Sequence, residues 1–429
     1  MKIAICTLGC KVNQYESQAL SEMLEGLGYT TVKEADNPDI LFVNSCTVTA
    51  ESDRKTRQLV RKLRQNHPES IIVLLGCMPS AFPKSVENLH EADIVFGNTD
   101  HKEIPKLICE FLKTKKRIVN IFPHEKNEKF AENNITRFSE RTRAYIKIED
   151  GCNRFCSYCA IPYARGRVRS KALGTIKDEA LKLAENGFIE IVLVGINLSA
   201  FGADNGLNIC DAVKAAASPD GIKRVRLGSL EPDHISNEIL LELKNAPKFC
   251  PQFHLSLQSG CDETLKRMNR HYDSAFYSDL VKRIRAIFPT ASITTDVMVG
   301  FAGETEEEFN KSLKFVENIG FAKCHIFAYS KREGTRAATF AGQVDNATKK
   351  ARSEKMAEVA QKSHNAFLKN LIETEQNVLI ERVKNGIAEG YTENYTRIYA
   401  KTTQNIEGTI VKIKPHDYFL DGLIGEIIE

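Results

Sequence analysis

The chain has 429 residues, 42% of them apolar, and a net charge of only +3. That length predicts two to four domains of about 100–200 residues each, with enough apolar content for true cores, and the near-neutral charge excludes any case for a nucleic-acid or membrane partner from composition alone. No apolar run approaches the roughly 18 residues of a membrane span. The start, Met1 to Cys6, runs straight into a strand pattern without a leader, so a cytoplasmic location is expected. Twelve cysteines in such a chain read as metal ligands and buried thiols rather than disulfides.

Residues 1–122 alternate strand and helix patterns, which predicts a parallel-sheet α/β domain. Lys2 to Leu8 reads as a strand, followed by a helix with Leu20, Met23, Leu24 and Leu27 at helical spacing. Ile40 to Val43 and Ile71 to Leu75 are apolar runs of buried-strand type, and Ile118 to Phe122 reads as the last strand. Cys10, Cys46 and Cys77 each stand just after a strand. In a parallel sheet those loops share one edge, where open α/β folds place ligands, so three cysteines distant in sequence can converge. They can equally be three buried thiols in tight turns. Cys6 and Cys109, inside apolar runs, are expected in the core. Arg54, Arg57, Arg61 and Arg64 fall on one face of a helix from about Ser52 to Gln65. Such a stripe suits phosphates or a solvated surface. Residues 123–142 are mostly polar and without period, and read as a linker.

From 143 to 345 about six β/α units follow, with strands at 144–148, 189–194, 224–227, 253–257, 293–298 and 324–328. Six are too few for a closed eight-stranded barrel, so a partial (β/α)6 barrel is expected, with its site at the C-terminal strand ends. The loop after the first strand, Gly151 to Pro162, carries Cys152, Cys156 and Cys159 in the spacing C-x3-C-x2-C. Thiolates packed this closely hold a metal or an iron–sulfur cluster. Three ligands leave one iron of a four-iron cluster free for a substrate, whereas a zinc loop would need a fourth ligand from elsewhere. At the other strand ends Gly195, Asn197, Glu231, Gln258 and Asp296 are the candidate ligand contacts, because polar groups on barrel strands are costly without partners. Arg165, Arg167, Arg169 and Lys171 form an alternating basic segment beside the loop, suited to an anionic substrate such as RNA or to solubility.

Residues 346–374 are expected to be a connecting helix, and 375–429 a small antiparallel β-barrel of oligonucleotide-binding type, built from five short strands. Tyr391, Tyr395, Tyr399 and Tyr418 could stack on bases. Against this, the segment holds six basic and nine acidic residues, so any nucleic-acid contact there must be local, through Arg397, Lys401, Lys412 and Lys414.

With Tyr158 before its third cysteine, the Gly151–Pro162 loop resembles the radical S-adenosylmethionine (SAM) superfamily. Together with Leu8 to Asn13, Asn44 to Thr49, Gly76 to Met78, Leu257 to Gly260, Thr295 to Phe301 and Tyr329 to Thr335, it makes the whole chain resemble the methylthiotransferase family. That resemblance implies an N-terminal domain with three cluster cysteines, a radical SAM barrel and a C-terminal domain of the TRAM type. It implies two [4Fe-4S] clusters, one on Cys152, Cys156 and Cys159 and one on Cys10, Cys46 and Cys77. Gly195, Asn197, Glu231, Gln258 and Asp296 are then the expected SAM contacts. It further implies that the first cluster reduces SAM to a radical that takes hydrogen from C2 of an adenine, and that the second delivers a methylated sulfur. The wording Thr7 to Gln14 is similar to the branch acting on N6-threonylcarbamoyladenosine in tRNA; Pro79-Ser80 departs from the family's pattern after the third cysteine. The expected partners are tRNA, SAM and a low-potential electron donor such as flavodoxin or ferredoxin, with no membrane. The alternatives are methylthiolation of isopentenyladenosine in tRNA or of a ribosomal-protein aspartate, and, from another class, a non-catalytic zinc-binding RNA-interaction protein.

Overall fold

The computed structural model describes residues 1–125, 128–138 and 142–428. Part of the expected linker (126, 127 and 139–141) and the last residue of the expected C-terminal domain lie outside the described residues.

The N-terminal sheet has six parallel strands in the order Thr30–Thr31, Lys2–Thr7, Ile40–Ser45, Ile71–Gly76, Ile94–Phe96, Ile118–Asn120. Ile40–Ser45 and Ile71–Gly76 are central and buried throughout, which is why they are almost wholly apolar. Their side chains alternate between two cores. Ile40, Phe42, Ile71, Val73 and Leu75 face one, and Leu41, Val43, Ile72 and Leu74 the other. Ile94–Phe96, too short to show a period, escapes the sequence reading. The first helix, Lys11–Gly26, has two apolar faces. Leu20 and Leu24 pack on the sheet, while Val12, Tyr15 and Ala19 join the core of the next domain. Leu27 lies beyond its end and is exposed. Cys109 is exposed, contrary to expectation. It sits on the helix Ile104–Thr114, whose buried face is Ile104, Leu107, Ile108 and Phe111, and the helical period turns position 109 outward.

The second domain is an open arc of parallel strands in chain order: Arg143–Lys147, Glu190–Val194, Arg224–Leu227 continued past Gly228 as Ser229–Leu230, Gln252–Leu255, Ser292–Val299 and Lys323–Ala328. This is the partial barrel expected. Residues 128–138, read as linker, form no helix or strand but are not idle. Ile135 and Phe138 are buried in the barrel core, and the Asn133 carbonyl accepts from the Tyr15 hydroxyl and from Lys171. The helix Asn346–Lys369 covers the last strand; Met356 enters the barrel core, and His364 Nδ1 meets the Ala322 carbonyl at 2.6 Å.

The C-terminal strands Gln376–Lys384, Ile387–Thr392, Arg397–Lys401, Gly422–Ile427 and Ile410–Phe419 close into a barrel in that order. Four neighbouring pairs are antiparallel, and Arg397–Lys401 runs parallel to Gly422–Ile427. A ring of five strands cannot alternate direction all the way round, so one pair must be parallel. This barrel docks on the N-terminal ends of the arc. Arg224 donates to the carbonyls of Tyr391 and Asn377 at 3.0 and 2.7 Å, and Arg226 to that of Glu393 at 2.7 Å. Glu190, buried between them, holds Arg226 at 3.0 Å.

Candidate functional site

Cys10, Cys46 and Cys77 lie at the carboxyl ends of adjacent parallel strands, as the topology requires. Cys10 is the N-cap of Lys11–Gly26, Cys46 follows Ser45, and Cys77 opens a short helix, Cys77–Ala81. The three loops press on one another. A Cβ on Gly9, at φ +125°, would stand 2.9 Å from Cys46 Cβ, and one on Gly76, at φ +101°, would stand 2.5 Å from Asn44 Oδ1. Asn13 ties the loops together. It accepts from Cys10 Sγ at 3.2 Å and donates to Asn44 Oδ1 at 3.0 Å and to the Ser45 carbonyl at 3.2 Å. Burial pushes the Cys77 thiol up to about 12, despite Arg165 beside it, and Cys46 and Cys10 add to the shift. Charge on Cys10 therefore acts on both Cys46 and Cys77, and thiols raised in this way need a cation to become ligands.

In the second loop, Gly151 at φ +85° lets the chain pass so close that a Cβ would fall 1.9 Å from the Arg167 carbonyl oxygen. Cys152 N–H donates to the Gly166 carbonyl at 3.0 Å and Cys159 N–H to that of Cys156 at 3.0 Å. Ser157 anchors the loop on the Arg267 and Met268 carbonyls, and Tyr158 packs edge-on against Phe301. Burial pushes the Cys152 thiol up to about 12, with contributions from Cys156, Glu149 and Glu231. Cys159 is raised too, by burial first and then by Cys156. Among the described residues no three His, Cys, Asp or Glu side chains close on a single ion; a four-iron cluster takes one thiolate per iron and needs wider spacing.

The two cysteine sets are joined by a buried charge network that the sequence reading took for a basic edge. Arg165, 0% exposed, ends the helix Ile161–Arg165 that follows Cys159. Its Nε donates to Cys77 Sγ at 3.2 Å. Its Nη1 and Nη2 hold Glu16 at 2.7 and 2.9 Å, and Nη1 reaches Asp150 at 3.1 Å. Lys147 bridges the same two carboxylates at 2.7 and 2.6 Å. Arg169 and Lys171 are also buried and paired, with Asp150 and Glu179. Only Arg167 of the four faces outward, over the Phe155 ring. The segment Tyr329 to Thr335 clamps the Cys46 loop from above: buried Arg332 donates to Thr47 Oγ1 at 2.7 Å and Asp53 Oδ2 at 2.6 Å.

The five candidate contacts divide into groups. Gly195 abuts Glu149, whose Oε2 accepts the N–H groups of Ile196 and Asn197 at 2.8 and 2.7 Å. Glu149 Oε1 and Asn197 Oδ1 are buried without a partner. Glu231 pairs with Arg270, which also donates to Cys156 Sγ at 3.3 Å. Gln258, at φ +65°, exchanges backbone hydrogen bonds with Asp296 and Met298. Asp296 stands 3.4 Å from His254 Nε2. Asp296 and Gly195 line a cavity of about 650 Å3, together with Cys10, Lys11, His254, His325 and Tyr395. Glu149, Arg270 and Glu16 escape the sequence reading, for each looks like an ordinary charged surface residue until the fold buries it; Arg165 reads only as part of a basic edge.

The C-terminal tyrosines are not the exposed platform expected. Tyr391 and Tyr395 stack on each other, ring centroids 4.6 Å apart, with Arg143 against both and Arg226 against Tyr395. Tyr399 is buried; Tyr418 remains exposed. In the arginine stripe, Arg54, Arg61 and Arg64 pair with Glu51, Glu91 and Asp93.

An open parallel arc with a three-cysteine loop after its first strand defines a radical SAM protein, and the Radical SAM superfamily model matches residues 146–316. Residues 2–97 match the model described as uncharacterized protein family UPF0004. The threonylcarbamoyladenosine tRNA methylthiotransferase MtaB of Thermotoga maritima is 38% identical over 92% of this chain and 90% of its own. MtaB of Bacillus subtilis is 34% identical over 96% and 93%. The tRNA-2-methylthio-N(6)-dimethylallyladenosine synthase of Natranaerobius thermophilus is 34% identical over 100% and 97%. Among solved structures, the radical SAM methyltransferase TsrM from Kitasatospora setae superimposes with TM-score 0.54 at 15% identity, over 76% of this chain and 72% of its own; it shares the fold. The chain belongs to the methylthiotransferase family of radical SAM enzymes, and with that membership come SAM and a [4Fe-4S] cluster. No helix among the described residues is long and apolar enough to cross a membrane.

Proposed function

We propose that the protein methylthiolates C2 of N6-threonylcarbamoyladenosine beside the anticodon of tRNA, in the cytoplasm. Its domains are placed at 1–122, 143–345 and 375–429 in this reading, with the connecting segment 346–374, helical over Asn346–Lys369, packed on the arc. The observation that carries the reading is the pair of three-cysteine sets, with Arg165, at the end of the helix after Cys159, donating to Cys77 Sγ. Cys152, Cys156 and Cys159 would hold the cluster that works with SAM; Cys10, Cys46 and Cys77 would hold a second. The first cluster, with SAM, would supply the one-electron chemistry that breaks an unactivated C–H bond, which no side chain can do, and the second would supply the sulfur.

The protein's own residues bind, orient and exclude water. Gly151 sets the turn that presents the first three thiols. The unpartnered acceptors on Glu149 and Asn197 fit the ammonium of an amino-acid ligand such as SAM, and Gly195 leaves room beside them. Glu231, Gln258 and Asp296 complete the proposed SAM contacts. Arg270 fixes Glu231 against Cys156. A flavodoxin- or ferredoxin-like donor is the proposed electron source.

Support for the substrate comes from the near-full-length relatives named for threonylcarbamoyladenosine and from the wording Thr7 to Gln14. Mass spectrometry of tRNA nucleosides from a deletion strain tests it. Methylthio-threonylcarbamoyladenosine is expected to disappear and its precursor to accumulate. If it persisted undiminished with no second enzyme present, the substrate reading would be wrong.

A further inference from the structure

The 650 Å3 cavity is lined with polar groups, and most of its charges are already paired. His254 faces Asp296 at 3.4 Å, and Arg397 meets Asp421 at 3.2 Å. Lys11 is different. It is half-buried and lines the cavity next to Cys10. Among the described residues, no carboxylate comes within ion-pairing distance of its ammonium. Its neighbours are the Tyr145 ring, 6.0 Å from Nζ, Tyr395 of the docked C-terminal barrel, and two cations of the arc, Arg143 and Arg226. Glu190, the acid whose charge acts on Lys11, is committed to Arg226 at 3.0 Å.

The position also works against the helix that bears it. Lys11 is the first residue of Lys11–Gly26, whose first turn has no acidic side chain. A cation there opposes the positive end of the helix dipole. A desolvated cation without a counter-charge is costly as well. Within the chain only Tyr395 and Glu190 work against these costs, and burial with Arg143 and Arg226 outweighs them, so an anionic group on a ligand would supply the missing counter-charge.

We infer that Lys11 is a specificity residue that pairs with the carboxylate of the substrate's N6 substituent. The inference rests on the proposed substrate. A threonylcarbamoyl group ends in a free carboxylate, while a dimethylallyl group offers Lys11 nothing and would leave its ammonium buried unpaired. A site built to pair a polar group rejects the analogue that lacks it far more strongly than an apolar pocket rejects a misfit. Cys10, one residue away, belongs to the proposed sulfur-delivering set, so the same contact would hold the adenine edge near the place where sulfur must arrive.

The test measures dissociation constants of the cluster-loaded full-length protein, without SAM, for three anticodon stem-loops. These carry threonylcarbamoyladenosine, its threonine methyl ester, or dimethylallyladenosine at the same position. Wild type is expected to bind the acid about ten- to a hundredfold more tightly than the ester, the range of a hydrogen bond to a charged group. Lys11→Gln should bring acid and ester level, and Lys11→Arg should keep a preference for the acid, with iron content unchanged in both. Equal binding of acid and ester by wild type overturns the inference without needing any variant, and so does a preference that survives in Lys11→Gln. A wild type that prefers the dimethylallyl stem-loop overturns the substrate reading itself, a result distinct from either.

Discussion

Replacing Arg165 by methionine removes one cation from a buried group of charges and leaves the apolar stem. In the native network Glu16 and Asp150 are served by Arg165 at 2.7, 2.9 and 3.1 Å and by Lys147 at 2.7 and 2.6 Å. Arg169 adds a longer contact to Asp150, at 3.5 Å. Without Arg165, Glu16 keeps only Lys147, which it shares with Asp150, Asp150 keeps Lys147 and the longer Arg169 contact, and Glu16 loses its bidentate partner. Breaking a buried pair from one side costs about 3–5 kcal/mol, a large part of the roughly 5–15 kcal/mol that holds a domain together. Anaerobic urea unfolding of wild type, Arg165→Met, Glu16→Gln and the double variant forms a cycle that measures it. The double variant should be more stable than the sum of the singles by about 2 kcal/mol or more, because removing the carboxylate's charge relieves the unpaired acid. If Arg165→Met cost less than about 1 kcal/mol, or if the two changes added within about 0.5 kcal/mol, the network would not be what joins the domains.

Acid should weaken the same joint. Burial alone would raise the Glu16 carboxyl, but Arg165 and Lys147 bring it from 4.5 down to about 2. Its contribution, about 3 kcal/mol, is therefore complete above pH 4.5 and lost as pH falls through about 2; Glu16→Gln should flatten the stability profile over that window. Gly151→Ala should strip iron from the Cys152 loop, since its Cβ would stand 1.9 Å from the Arg167 carbonyl oxygen; an unchanged iron content and spectrum would refute this. Cys156→Ala is expected to abolish reductive SAM cleavage, whereas Cys46→Ala should abolish methylthio insertion yet leave some cleavage. Full product formation by Cys46→Ala would make the two-set division untenable. Arg332→Ala leaves Asp53 without its cation partner and should cost about 3 kcal/mol or more, seen as earlier proteolysis around the Cys46 loop than in wild type.

Local pattern was enough for the outline. Strand–helix alternation set the parallel sheets, the count of β/α units made the barrel partial, and C-x3-C-x2-C marked the candidate site, because each depends only on short spacing and on where parallel strands end. The convergence of Cys10, Cys46 and Cys77 followed from the same topology. What sequence could not tell was which charges would be buried. Arg165, Arg169 and Lys171 alternate like an exposed edge, yet they are enclosed because acids from distant segments, Glu16, Asp150 and Glu179, meet them. Tyr391 and Tyr395 look like a stacking platform until Arg143 and Arg226, from another domain, cover them. Periodicity reports the face a residue occupies on its own element. Only the docking of whole domains decides whether that face meets water, and whether a cation such as Lys11 is left without a partner.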